Sequence, residues 1–364
     1  MGRKIANDGS GPRFKVRRAE EPPYIIDEDE LKRYDQRNLI FNRIYNDPSW
    51  TGYGRIEEEQ GLRNIAEAKP GYTRIDYALT EAAWTVHDVW IDAFSWERLN
   101  RPGGPSLMGD EWYRDRYEVE DIAEMTRQLK RAARFYGASL VGVAELDRRW
   151  LYANRRFDLE PLELSKEVRY AVVMAIEMGE VGIAASPACP AAAATGRGYS
   201  RMAFAASCLA EFIRNLGYVA VPAGNDMGLS IPLAIDAGLG QLGRNGLLIT
   251  PEYGPRVQLC KVFTDLPLAP DKPIDFGVTD FCRRCRLCAE ACEVGAISEE
   301  AEPSWEPACV SSSPGVLKWY VDSEKCYEFW CENGTDCSTC IAVCPYNTGL
   351  KRASTEKFWG NDGR

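Results

Sequence analysis

Residues 282–292 read Cys-Arg-Arg-Cys-Arg-Leu-Cys-Ala-Glu-Ala-Cys, and residues 337–345 read Cys-Ser-Thr-Cys-Ile-Ala-Val-Cys-Pro. Cys282, Cys285, Cys288 and Cys292 are separated by two, two and three residues. Cys337, Cys340 and Cys344 repeat the end of that spacing, with Cys326 displaced upstream by an insertion. Eight of the 13 cysteines, all within residues 282–344, thus share this spacing. Thiols packed this tightly have the spacing of metal ligands rather than of a disulfide framework.

The first run matches bacterial two-cluster ferredoxins, in which three thiolates hold one cluster and the fourth reaches the other. That logic assigns Cys282, Cys285, Cys288 and Cys344 to one [4Fe-4S] cluster and Cys326, Cys337, Cys340 and Cys292 to a second. Structural zinc closes on one set of four and leaves the crossing without a reason, whereas soft thiolates in tight turns suit iron-sulfur clusters. Glu293 stands where the first run usually carries proline, and Pro345 is present only in the second; a carboxylate near a cluster lowers its potential. Cys189, Cys208, Cys260, Cys309 and Cys331 are left over. Cys331 is the rival to Cys326, and Cys326 is preferred because Cys331 falls in a Phe-Trp-Cys-Glu-Asn-Gly turn.

The 364 residues suffice for two or three compact units, and 45% hydrophobic content can fill their cores. With 44 basic and 54 acidic residues the net charge is -10, the wrong sign for binding phosphate backbones, so no nucleic-acid partner is expected. No apolar run approaches the roughly 20 residues of a membrane span. Met1 to Arg18 shows no apolar stretch after Arg17-Arg18, hence no visible secretory or twin-arginine signal. The single histidine, His87, rules out histidine-rich metal sites and leaves any serine-histidine chemistry to one residue.

Upstream of the cysteines, the first fifty residues are charged and punctuated and read as a surface wrap. Trp84, Trp90 and Trp96 follow at six-residue intervals, which is not a helical repeat. Ile122, Met125, Leu129, Ala132 and Tyr136 mark one helical face, Gly137 ends it, and Ala138 to Ala144 reads as a strand. The same grammar recurs with Met202, Ala205, Leu209, Phe212, Ile213 and Leu216, stop Gly217, and strand Tyr218 to Val221. Tyr170 to Ile176 reads as a central buried strand and Val257 to Phe263 as another, giving an α+β or α/β core. Gly238-x-Gly240-x-x-Gly243 has the form of a dinucleotide fingerprint, but Ser230 to Ala237 reads as a helix leading in, where a Rossmann loop follows a strand. The broader inference is a loop that lets backbone approach a large cofactor.

Taken together, Ala138 to Ala144 (ASLVGVA), Gly198-Tyr-Ser200, Leu216-Gly-Tyr-Val-Ala220, Gly224-Asn-Asp226, Ala237 to Thr250 (AGLGQLGRNGLLIT), Glu252 to Arg256 (EYGPR), Lys261 to Asp265 (KVFTD) and the two cysteine runs resemble the corrinoid-dependent reductive dehalogenases. Epoxyqueuosine reductase, which shares the corrinoid and two clusters, is a more distant likeness. The resemblance implies an α+β architecture, with a nitroreductase-like α/β core holding base-off cobalamin, fused to a C-terminal bacterial-ferredoxin-like two-cluster unit. It divides the chain into residues 1–110, a wrapping and substrate-pocket segment; 111–277, the cobalamin-binding core; 278–350, the ferredoxin-like domain; and 351–364, a tail. No Asp-x-His-x-x-Gly motif supplies a lower ligand, in keeping with a base-off corrinoid. The implied reaction replaces carbon-halogen by carbon-hydrogen at Co(I), with two electrons fed through the clusters and one proton.

The family's proton-donating tyrosine falls on Tyr199 and its basic partner on Lys261, with Asn225 lining the same cavity and Arg256 the second choice for the positive charge. A phenol with intrinsic pKa about 10 needs a nearby cation to stabilise the phenolate it leaves. Tyr199 reads as the start of a helix, whose N-terminal dipole also favours that anion. Gly240, Gly243, Arg244, Asn245 and Gly246 are the candidates for backbone contacts to the corrinoid, and Trp84, Trp90 and Trp96 for an apolar substrate pocket. Implied partners are a small organohalide, an electron-donor protein or quinol-linked reductase, and a small membrane anchor. The implied location is the outer face of the cytoplasmic membrane after twin-arginine export. The alternatives are an epoxyqueuosine reductase-like tRNA-modifying enzyme and a pure two-cluster electron carrier. Family members generally begin with a twin-arginine signal and continue well past the second cysteine run, whereas this chain stops twenty residues after Cys344.

Overall fold

The computed structural model describes residues 14–93, 116–155 and 160–347. Residues 14–39 wrap along the rest of the chain, pairing Arg17–Arg18 with Ile274–Asp275 and bridging Ile26 to Val316. Three helices follow, α1 (Ile40–Asn46), α2 (Tyr53–Ala66) and α3 (Arg74–Ala93). The wrap agrees with the charged, punctuated sequence; the helical layer behind it carries no strong apolar periodicity and was not anticipated.

Asp121 caps α4 (Ile122–Phe135) by accepting from the Ala123 and Glu124 amides, and Gly137 turns the chain at φ 101°. Strand β1 (Leu140–Glu145) then runs antiparallel to β2 (Tyr170–Glu177). Next come α5 (Glu180–Ala184), the long α6 (Cys189–Arg214), β3 (Ala220–Ala223), α7 (Ser230–Asp236) and β4 (Val257–Thr264). The sheet order is β1-β2-β4-β3, every pair antiparallel. Val172, Met174 and Ile176 of β2 pack with Met125 and Leu129 of α4 and Met202 and Leu209 of α6. Ala171, Val173 and Ala175 face the opposite core, with Trp150, Leu233 of α7 and Phe263. Both faces of β2 are thus buried, which explains its unbroken apolar sequence.

Helix α6 spans 26 residues and begins ten residues before Tyr199. The alanine run Ala191–Ala194 favours helix strongly and carries it upstream. Tyr199 therefore lies in the helix interior, and the expected N-terminal dipole does not act on it, because that effect fades within the first turn. Gly196 is tolerated mid-helix because Trp84 of α3 lies against it: a Cβ there would stand 2.5 Å from the indole ring.

Four short helices run through the cysteine segment: α8 (Val278–Arg284), α9 (Leu287–Glu290), α10 (Ser323–Asn333) and α11 (Thr339–Ala342). Among the described residues no helix is long and apolar enough to cross a membrane. The closest backbone approach in the sheet is at Gly142 of β1, where an added Cβ would lie 2.1 Å from the Ala237 carbonyl oxygen. Neither backbone can yield there, so Gly142→Ala is expected to destabilise the chain by about 2–3 kcal/mol, read as a lower urea midpoint with an unchanged slope.

Candidate active site

Tyr199, half-buried on α6, accepts a hydrogen bond from the side-chain amide of exposed Asn225 at 2.6 Å. Trp84 stacks on the tyrosine ring with centroids 4.8 Å apart and planes at 26°. His87, one helical step along α3, packs edge-on against both rings at 5.1 and 5.3 Å. Ser200 fastens this arrangement: its hydroxyl donates to the Ala83 carbonyl at 2.6 Å and accepts the His87 amide at 3.2 Å. Sequence reading missed Ser200 and the proximity of His87, although the i, i+3 spacing of Trp84 and His87 places them on one face. The side chain of Trp90 and all of Trp96 lie outside the described residues.

Lys261 of β4 is fully buried. Its Nζ donates to the Gly224 carbonyl at 2.6 Å, the Gly228 carbonyl at 2.8 Å and the Ser230 hydroxyl at 3.0 Å. Those acceptors bracket Asn225, so the lysine holds the loop that holds the tyrosine. Burial lowers its pKa to about 8, with the Asp226 carboxylate opposing the shift. Arg256, the second choice for a catalytic cation, is elsewhere: its guanidinium meets Glu177, the Met178 carbonyl at 2.7 Å and Asn347 Oδ1 at 2.8 Å. Through these partners it ties β4 to the end of the cysteine unit.

Cys282, Cys285, Cys288 and Cys344 line one cavity, together with Gly243, Arg244 and Asn245. The loop expected at the corrinoid is therefore placed against these thiols. Gly240 packs on the Ile249 backbone and Gly246, at φ 71°, on Val321. Arg244 is spent on carbonyls: those of Cys282 at 2.8 Å, Ser298 at 2.7 Å and Glu300 at 2.6 Å, with its guanidinium over the Trp319 ring. Burial raises the Cys282 thiol to about 11 and Cys288 to about 12. Cys326 is likewise pushed up to about 12 by burial and by its neighbours Cys337 and Cys292, and Cys340 well above its usual value by burial and the same group. Cys331 points away, packed with Ile40, Trp50 and Tyr327.

Two observations test whether cofactors fit. Among the described residues no three His, Cys, Asp or Glu side chains close on a single ion; four thiols border a cavity instead, and the buried Nδ2 of Asn245 on its wall has no hydrogen-bond partner. A group bringing its own sulfides fits that wall better than one zinc ion. At Tyr199, the one imidazole of the chain is packed against aromatic rings, and the neighbouring Asn225 is exposed.

No family profile matches the chain. It is 36% identical over 351 residues to a tetrachloroethene reductive dehalogenase of Desulfitobacterium hafniense, covering 76% of this chain and 63% of that protein. A second tetrachloroethene reductive dehalogenase, from Sulfurospirillum multivorans, is 34% identical over 389 residues, covering 93% of this chain and 76% of its own length. A solved reductive dehalogenase structure, described as suggesting a mechanism for B12-dependent dehalogenation, superposes with TM-score 0.71 at 25% identity over 94% of this chain and 45% of that one. A shorter stretch, 33% of the chain, is 38% identical to an epoxyqueuosine reductase of Listeria monocytogenes. The chain spans less than two thirds of the Desulfitobacterium relative but three quarters of the Sulfurospirillum one, and on that similarity it belongs to the reductive dehalogenase family.

Proposed function

We propose that the chain replaces a carbon–halogen bond of a small organohalide by carbon–hydrogen, with Tyr199 giving the proton. The observation that carries this reading is the 2.6 Å contact from the Asn225 amide to the Tyr199 oxygen, on a face open to solvent. A hydroxyl that accepts from an amide keeps its own proton to give, and the same amide stabilises the phenolate left behind. Lys261 acts behind this contact, fixing Gly224 and Gly228 and placing positive charge under the loop. Trp84 shields one ring face from water.

In this reading the sheet with α4 and α6 is a nitroreductase-like core, and α8 to α11 form a ferredoxin-like unit. A base-off corrinoid over Tyr199 and Asn225 would supply a cobalt centre reducing enough to break the carbon–halogen bond. Cys282, Cys285, Cys288 and Cys344 would hold one [4Fe-4S] cluster and Cys292, Cys326, Cys337 and Cys340 the other, giving electrons a store inside the protein. The net change consumes two electrons and one proton and releases halide. An electron-donor protein and a small membrane anchor on the outer face of the cytoplasmic membrane complete the proposal.

Protein loaded anaerobically with cobalamin, iron and sulfide is expected to release chloride from a chlorinated ethene, and no release across alkenes, alkanes and arenes would sink the reading. Tyr199→Phe should lower that rate by about 10²- to 10⁴-fold while leaving the cluster spectrum unchanged. Cys326→Ser is expected to lose about half the bound iron and Cys331→Ser none, as measured by colorimetric iron assay. Lys261 supplies a pH signature. Its folded pKa lies below the ordinary 10.5, so between about 8 and 10.5 the unfolded chain binds more protons. The stability of the unsubstituted chain should therefore rise relative to Lys261→Met between about pH 7 and about pH 9.5 in urea titrations.

A further inference from the structure

Asn245 is 6% exposed, and its Nδ2 is buried without a hydrogen-bond partner. Leaving a buried amide donor unmatched costs about 1–3 kcal/mol, so such atoms need an explanation. The amide orientation is set by its other end, where Oδ1 accepts the Leu247 backbone N–H at 3.3 Å. Flipping the amide would set two donors against each other, so the N–H₂ must face away from Leu247. Asn245 lines the cavity bordered by Cys282, Cys285, Cys288 and Cys344. Gly243 makes room for it: a Cβ at 243 would stand 2.8 Å from Asn245 Oδ1. Arg244, the residue between them, is already satisfied by three carbonyls and has no such orphaned donor.

We propose that the Asn245 side-chain N–H donates a hydrogen bond to a sulfur of the iron-sulfur group in this cavity and raises that centre's reduction potential. The inference rests on reading the cavity as a cluster site. Its physics is general: a donor to sulfur stabilises the reduced, more negative state over the oxidised one, and in a buried cavity solvent screens that preference little. The second group of cysteines, Cys292, Cys326, Cys337 and Cys340, has no part in this wall. The effect therefore falls on one of two centres, and the other serves as an internal reference.

The test is an anaerobic redox titration of the full chain, reconstituted with iron and sulfide and followed by electron paramagnetic resonance. In Asn245→Leu one midpoint should move to more negative potential while the other stays, with iron content unchanged. Asn245→Ser, too short to reach the sulfur and without bulk, should move the same midpoint in the same direction if the leucine impairs cluster assembly. In the unsubstituted chain, isotope-labelled asparagine nitrogen should couple to one reduced cluster, and the coupling should vanish in either variant. Clusters that form with both midpoints unmoved, or with no such coupling, overturn the role of Asn245 and leave the cluster reading intact. An unsubstituted chain that takes up no iron overturns the cluster reading itself, and this inference with it.

Discussion

A fully buried ammonium must be met by oxygen atoms, and much of the candidate site follows from how Lys261 meets this demand. Lys261 sits on β4 between Cys260 and Val262, whose side chains point to the α4 and α6 core, so its own side chain leaves the sheet on the other face. There it collects the carbonyls of Gly224 and Gly228 and the hydroxyl of Ser230. A loop pinned at both ends by one cation has little freedom, and Asn225 is what that loop presents. The loop fixed by Lys261 thus sets where Asn225 meets Tyr199.

The same strand also connects the site to the cysteine unit. Arg256, just before β4, reaches Glu177 at the end of β2 and Asn347 after the last cysteine. On the other side of α6, Ser186 and Thr339 are hydrogen-bonded, and Ser186 accepts from the Ser338 amide at 2.8 Å. Tyr72, before α3, donates to Asn333 on α10 at 2.7 Å. These are buried, satisfied polar contacts, expensive to break once solvent is excluded. Polar contacts with fixed directions set spacing and orientation more narrowly than apolar packing does.

Much of this was legible in the sequence where a local rule decides. The capped periodicity of α4, the glycine stops at 137 and 217 and the apolar runs of β2 and β4 all predict elements found in place. The turn expected at Cys331 is not there: Cys331 lies inside α10, packed with Ile40, Trp50 and Tyr327. What failed did so where long-range packing decides. Tyr199 reads as a helix start, yet α6 continues ten residues upstream through Gly196, against which Trp84 from another helix packs. Lys261 and Arg256 are both plausible cations by position; only their acceptors, supplied by segments more than thirty residues away, separate a loop anchor from a structural tie. The glycine loop at 240–246 shows the same limit: backbone permissiveness was readable, but which partner it approaches was not.

The electrostatics of the cysteine cavity run against those of the chain as a whole. A net charge of -10 opposes the addition of electrons anywhere on the protein, but exposed charges separated by more than about 10 Å are largely screened at ordinary ionic strength. Buried ones are not. Arg244 is 1% exposed and lies in the field of Cys282, Cys285 and Cys288, which favour its charged form while burial disfavours it. Its carbonyl partners are neutral, so they satisfy its donors without cancelling its charge. The guanidinium of Arg244 and the amide of Asn245 therefore both lie at the first cavity. A negatively charged protein can in this way keep positive charge beside a group of buried thiols.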